Sequence, residues 1–172
     1  MPGTKEELLK TIDTIDCTYD ILAGGTDLYA KEKTPFNGAD AAIDISGIKE
    51  FSVIKLKKEE GLITFGSNIC IQQFLEEKVL MENVPILRHA AIYFADQQIR
   101  EMATVGGNVA NSSPSGDTIA PLTALEAVIH TITSKDNKIC EKETPITEFI
   151  TGVGKNLLEK GEVISFNHFV RF

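Results

Sequence analysis

Apolar positions recur along the chain in two rhythms, one helical and one alternating. Leu8, Leu9 and Ile12 follow a Thr4-x-x-Glu7 pair of the kind that closes a capping box, so a helix opens the chain. Residues 19–23 (YDILA) and 41–45 read as short strands. The first runs directly into Gly24-Gly25-Thr26, and the second into Ser46-Gly47. Residues 27–33 predict a short helix ended by Pro35. Runs at 53–56 and 62–65 flank the polar KKEEG segment and predict a β-hairpin. Ser67 or Asn68 is placed to cap a helix over 71–77. Pro85 opens a stronger helix over 85–95, with Ile86, Leu87, Ala90, Ala91 and Phe94 turned inward. Gly106-Gly107-Asn108 begins a polar loop that reaches Asp117. A helix over 118–127, strands at 128–133 and 138–143, one helical turn at 148–150 and a last strand at 163–170 complete the chain. Helices and hairpins interleave without a regular βαβα alternation, so the class is α+β. A small N-terminal lobe (residues 1–46) and a larger lobe (47–172) are expected.

Composition narrows the function. A chain of 172 residues can bury a core without disulfides or metal. Seventeen Lys and Arg against 25 Asp and Glu leave a net charge of -8, which argues against nucleic acid as a partner. No apolar run approaches the length of a membrane-spanning helix, and the N-terminus lacks the basic and apolar regions of a secretory signal. Cys17, Cys70 and Cys140 form no CxxC pair, and His89, His130 and His168 share no ligand spacing, so no metal site is expected. Isolated thiols suit a reducing cytoplasm.

Two glycine pairs carry the candidate chemistry. Glycine lets the backbone approach a ligand and take positive φ, and a run of exposed amides forms an anion-binding nest. Residues 23–27 (AGGTD) can hold a phosphate through main-chain donors and the Thr26 hydroxyl. Residues 104–108 (TVGGN) offer the same chemistry a second time. Two such loops, one per lobe, can grip a single extended diphosphate ligand without adding cations. The same residues are equally compatible with ordinary turns, with Thr26 or Asp27 as a helix cap. Neither loop matches the Rossmann or P-loop fingerprint.

The second loop sits inside the longer run IREMATVGGNVANSSPSGDTIAPLTALEA. That run resembles the signature of the FAD-binding domain of the molybdenum hydroxylases, and ILAGGTDL resembles the first FAD loop of the same family. The resemblance implies the two-lobed, PCMH-type flavin fold shared with vanillyl-alcohol oxidase. It implies that Ile21, Leu22, Ala23, Gly24, Gly25, Thr26, Asp27 and Leu28 wrap the FAD diphosphate. It assigns Ala103, Thr104, Val105, Gly106, Gly107 and Asn108 to the diphosphate and flavin. Asp117 corresponds to an acidic residue that contacts FAD, Phe94 to an aromatic residue near the cofactor, and Ile164 to an apolar residue packed on the isoalloxazine. For Phe94 and Ile164 core packing, and for Asp117 helix capping, are the competing readings. Arg100 reads as a structural residue. The resemblance implies a family flavin subunit that continues into a separate C-terminal flavoprotein domain, and the expectation is that this chain stops short of it. The resemblance further implies a molybdopterin-containing large subunit and a 2Fe–2S small subunit as partners, with NAD+ as a possible electron acceptor. No residue reads as a proton-transfer catalyst or nucleophile, so the chemistry is the cofactor's. Two alternatives stand beside this reading: an assembly or interaction module without flavin, and a stand-alone flavin reductase or oxidase.

Overall fold

Thr4 Oγ1 accepts the Glu7 amide at 3.2 Å and starts helix α1 (Lys5–Thr14). The Glu7 carboxylate reaches back to the Gly3 amide at 2.8 Å, one residue further out than the TxxE pattern implies. The computed structural model describes residues 1–29, 38–136 and 138–171. Strands β1 (Tyr19–Leu22) and β2 (Ala41–Asp44) pair in parallel, with Tyr19 opposite Ala41 and Leu22 opposite Asp44. Leu8 and Leu9 of α1 pack in one apolar cluster with Ile43, Ile45, Ile48 and Phe51. Ile132 and Val163 complete that cluster from much later in the chain.

The main sheet is antiparallel. Its strand order is β3 (Ile54–Lys57), β4 (Leu62–Gly66), β10 (Phe166–Arg171), β5 (Val128–Lys135) and β6 (Lys138–Pro145). The strand predicted over 163–170 is interrupted at Ser165: β9 (Val163–Ile164) pairs with β5, and β10 continues between β4 and β5. Alternation along β9 sends Val163 into the N-terminal cluster and Ile164 into a second, larger one. The larger cluster holds Ile63, Phe65, Ile69, Phe74, Val105 and Leu122 among others. It packs the sheet against α2 (Gln73–Glu76), α3 (Lys78–Asn83), α4 (Pro85–Tyr93), α6 (Val105–Asn111), α7 (Ile119–Ala124) and α8 (Ile146–Phe149). Helix α5 (Gln97–Met102) leads into α6, and a small hairpin, β7 (Ile150–Gly152) and β8 (Lys155–Asn156), follows α8.

Several local expectations are corrected. Neither Ser67 nor Asn68 caps a helix: Ser67 Oγ donates to the Ser165 carbonyl, Asn68 Nδ2 donates to the Ile45 carbonyl, and α2 begins only at Gln73. Ile86 is exposed, because Leu87 and Ala91 already form the inward stripe of α4 and Ile86 sits about 100° from Leu87. Phe94 follows the last turn of α4, half-buried. Residues 27–29 form a turn, and residues 30–33 of the predicted helix, with the Pro35 that was to end it, lie outside the described residues. Residues 105–111 are helical where a loop was expected. The Thr104 hydroxyl caps the Gly107 amide at 3.0 Å, and buried Val105 and Val109 anchor one face in spite of two glycines. Helix α7 stops short of 127 because Glu126 takes a positive φ of 52°. The turn predicted at 148–150 falls slightly earlier, as α8.

Phe65 has no exposed surface and meets Phe74 edge to face at 5.5 Å. Phe65→Ala should lower stability by about 3–5 kcal/mol, read as a lower denaturant midpoint. His130 is buried, with Glu143 Oε1 3.6 Å from its Nδ1. Burial lowers its pKa below the ordinary 6.5, and nearby Glu143 and Glu141 only partly oppose this. The unfolded chain therefore binds this proton first as pH falls. The His130 contribution is complete above pH 6.5 and declines as pH drops toward the lower folded value. Unfolding measured across this range should show that slope, and His130→Gln should flatten it.

Candidate functional site

Four segments converge between the two apolar clusters. They are the loop after β1, the turn after β4, the α5–α6 junction and strand β9. Close backbone contact holds them together. A Cβ on Gly24 would lie 1.6 Å from the Met102 carbonyl oxygen, and one on Gly106 would lie 2.5 Å from Ser67 Cβ. Residues 69–71 run antiparallel to 103–105: the Ile71 amide donates to Ala103 O at 2.9 Å and the Val105 amide to Ile69 O at 3.0 Å. Asn111 Nδ2 donates to Asp27 Oδ1 at 3.2 Å and links the first loop to α6.

The space enclosed is a cleft of about 380 Å³. The two glycine motifs meet across it but differ in what they offer. Among the described residues, no protein acceptor receives the amides of Gly24, Gly25 or Thr26. Gly25 has a φ of +72°, the left-handed conformation that lets successive amides point to one side. At the start of α6 every early amide is engaged. Val105 donates to Ile69 O, Gly106 to Ser67 O at 2.9 Å, Gly107 to Thr104 Oγ1 and Asn108 to Thr104 O. The expected second open turn is therefore a capped helix start, and it supplies surface rather than bare amides.

Of the residues singled out from sequence, Ile21, Ala23, Gly24, Gly25, Thr26, Asp27 and Leu28 line the cleft. Phe94, Ala103, Thr104, Gly106, Gly107, Asn108 and Ile164 line it as well. Leu22, Val105 and Asp117 do not. Leu22 packs behind the loop, and its Cδ1 lies 2.9 Å from the site a Gly25 Cβ would fill. Val105 is fully buried in the larger core. Asp117 is exposed and precedes the Thr118 N-cap of α7, so it is not the capping residue. Asn108 turns its Oδ1 to Thr118, accepting from the hydroxyl at 2.5 Å. Arg100 is structural, donating to Gln72 Oε1 at 2.9 Å and to the carbonyls of Phe94 and Ala95.

Sequence reasoning missed Ser67, Asn68, Glu162 and the β7–β8 turn, whose Gly154 reaches the cleft. The Gly154 amide donates to Ser112 O at 2.9 Å, and Asn156 Nδ2 donates to Ala110 O at 2.7 Å, so the hairpin is fastened to the end of α6. The TGVG run at 151–154 was the available signal for that turn. Glu162 accepts from the Thr131 hydroxyl and from the Glu159 amide. Among the described residues the lining carries Asp20, Asp27 and Glu162 and no Lys, Arg or His. A phosphate placed here would find main-chain donors rather than cationic side chains among the described lining residues. Ile21, Ile45, Phe94, Val163 and Ile164 give the cleft apolar walls suited to planar rings. Asn68 Oδ1 is buried without a partner among the described residues, an acceptor left open for a ligand donor. Amide cradle, apolar walls and open acceptor together fit a dinucleotide such as FAD.

Solved structures define the fold first. Carbon monoxide dehydrogenase from Hydrogenophaga pseudoflava superposes with a TM-score of 0.85 at 24% identity, over 99% of this chain and 57% of that one. Quinoline 2-oxidoreductase from Pseudomonas putida 86 gives a TM-score of 0.85 at 21% identity, over the same shares. Residues 1–166 match the family described as the FAD binding domain in molybdopterin dehydrogenase, and the chain belongs to that family. FAD is the family's cofactor, and the relatives are oxidoreductase subunits. The xanthine dehydrogenase FAD-binding subunit of Escherichia coli O157:H7 is 32% identical over 87% of this chain and 49% of its own length. The nicotinate dehydrogenase FAD-subunit of Eubacterium barkeri is 30% identical over 84% of this chain and 48% of its own. The chain thus spans about half the length of the curated relatives it matches. No helix among the described residues is long and apolar enough to cross a membrane.

Gly24→Ala should force the first loop away from the Met102 carbonyl, costing about 1–3 kcal/mol by the measure of overpacked sites. Thermal unfolding of the variant against the parent checks this. An unchanged Tm would mean that the close contact does not hold the loop.

Proposed function

We propose that this chain is the FAD-binding unit of a molybdopterin-dependent dehydrogenase. The observation that carries the reading is the run of amides at Gly24, Gly25 and Thr26, which meet no acceptor among the described residues and face α6 across the cleft. These amides and the Thr26 hydroxyl hold the diphosphate, with Gly106 and Gly107 as a close-packed opposite wall. Phe94 and Ile164 flank the ring systems. The segments 1–46 and 47–172 act as two lobes of one binding unit, joined where Leu8, Leu9, Ile43 and Ile45 share an apolar cluster with Ile48, Phe51, Ile132 and Val163. FAD, when bound, supplies reversible electron uptake between 2Fe–2S clusters on a small subunit and NAD+ or another acceptor. The protein holds and orients the cofactor and screens it from water.

Assembly with a molybdopterin-containing large subunit is part of the same proposal. It is supported by relatives named as FAD subunits and by exposed apolar side chains at Ile92, Tyr93, Ile99 and Met102. A cytoplasmic location is supported by free Cys17, Cys70 and Cys140. Substrate hydroxylation belongs to the large subunit, and this chain's own residues do no proton transfer in it.

Titration of the full chain with FAD, followed by flavin fluorescence and absorbance, tests the reading. The expected result is saturable binding at micromolar ligand with a perturbed flavin spectrum. Gly25→Val, which strains a φ of +72° and crowds Tyr29, should weaken FAD by about tenfold or more. Absence of binding by the parent chain overturns the reading in favour of a flavin-free assembly module.

A further inference from the structure

Asn68 lies in the turn between β4 and α2, on the wall of the cleft. Two contacts pin it. Its backbone amide donates to Phe51 O at 2.8 Å, and its Nδ2 donates to Ile45 O at 2.7 Å. The second contact settles which way round the side-chain amide sits, because a flipped amide would set two carbonyl oxygens against each other. The orientation leaves Oδ1 turned away from Ile45. That oxygen is buried and receives no donor among the described residues. Buried acceptors are almost always paired, and a bare one destabilises the fold. Ser67, the preceding residue, is tied to Ser165 through both its amide and its hydroxyl. Asn68 therefore stands beside Ile45, one of the apolar residues of the cleft wall suited to a planar ring.

We propose that Asn68 Oδ1 accepts a hydrogen bond from a ring-borne N–H of the bound dinucleotide. This rests on the reading of the cleft as an FAD site. FAD carries such donors in two places, the imide N–H of the isoalloxazine and the exocyclic amine of the adenine. Oδ1 is buried, so the proposed bond requires a local shift of the wall when the ring binds. The bond formed then satisfies the acceptor that the protein alone leaves open.

Three ligands test this on the full chain: FAD, FAD methylated at the flavin imide nitrogen, and FAD dimethylated at the adenine amine. Each is titrated into the parent and into Asn68→Leu, with thermal unfolding of both proteins alongside. The parent should bind one of the two methylated ligands about tenfold more weakly than FAD, which identifies the ring. Asn68→Leu should bind FAD about tenfold more weakly and no longer distinguish that ligand from FAD. If Asn68→Leu fails to fold, the methylated ligands on the parent decide alone. Equal affinity of the parent for all three ligands overturns the proposal while leaving the FAD site intact. So does an unchanged FAD affinity in a folded Asn68→Leu. Failure of the parent to bind FAD overturns the reading of the cleft, and this proposal with it.

Discussion

Backbone touching backbone is the constraint from which the cleft follows. The first loop lies directly on the Met102 carbonyl, and the start of α6 lies directly on Ser67. Only glycine at 24 and 106 permits either contact, since any side chain would occupy the space of the neighbouring main chain. Gly66 repeats the arrangement, its missing Cβ lying 2.0 Å from the Phe51 carbonyl oxygen. Three glycine contacts thus bring segments of both apolar clusters together, and the remaining space between them is the cleft. The side chains lining it take their positions from these contacts.

The two glycine motifs divide their tasks for a physical reason. An amide already bonded to a protein carbonyl has little to give a ligand. At α6 the early amides are used to join the helix to residues 67–69 and to its own Thr104 cap. Among the described residues the loop after β1 has no such neighbours for Gly24, Gly25 and Thr26, which leaves those donors unengaged there. In a chain of net charge -8, neutral amides can serve a phosphate without a cation that nearby carboxylates would neutralise.

Much of this was legible in the sequence because local signals were strong. The β3–β4 and β5–β6 hairpins follow alternation and polar turns, and α1 follows its capping pair. The order of the glycine motifs, and the family to which they belong, were also readable. What escaped was set by distant partners. Residues 105–111 looked like a loop because two adjacent glycines lower helix propensity, but burial of Val105 and Val109 overrides that preference. Ser67 and Asn68 looked like caps, yet their side chains serve carbonyls 98 and 23 residues away. Asp117 belongs to a specific motif, but the path of the chain leaves it outside the cleft. Gly154 reaches the cleft because its hairpin is fastened to α6, a relation that no local pattern encodes.

Placement of β10 between β4 and β5 bears on how the protein is made. The ribosome delivers the β3–β4 hairpin, which ends at Gly66, well before residues 166–171, and the β5–β6 hairpin, which ends at Pro145, shortly before them, so each has an open edge until the central strand arrives. Such edges are templates for pairing with other chains. A nascent polypeptide stalled before β10 therefore presents two adhesive borders at once. Synthesis must run through this segment, and clear the exit tunnel, before the sheet can seal itself.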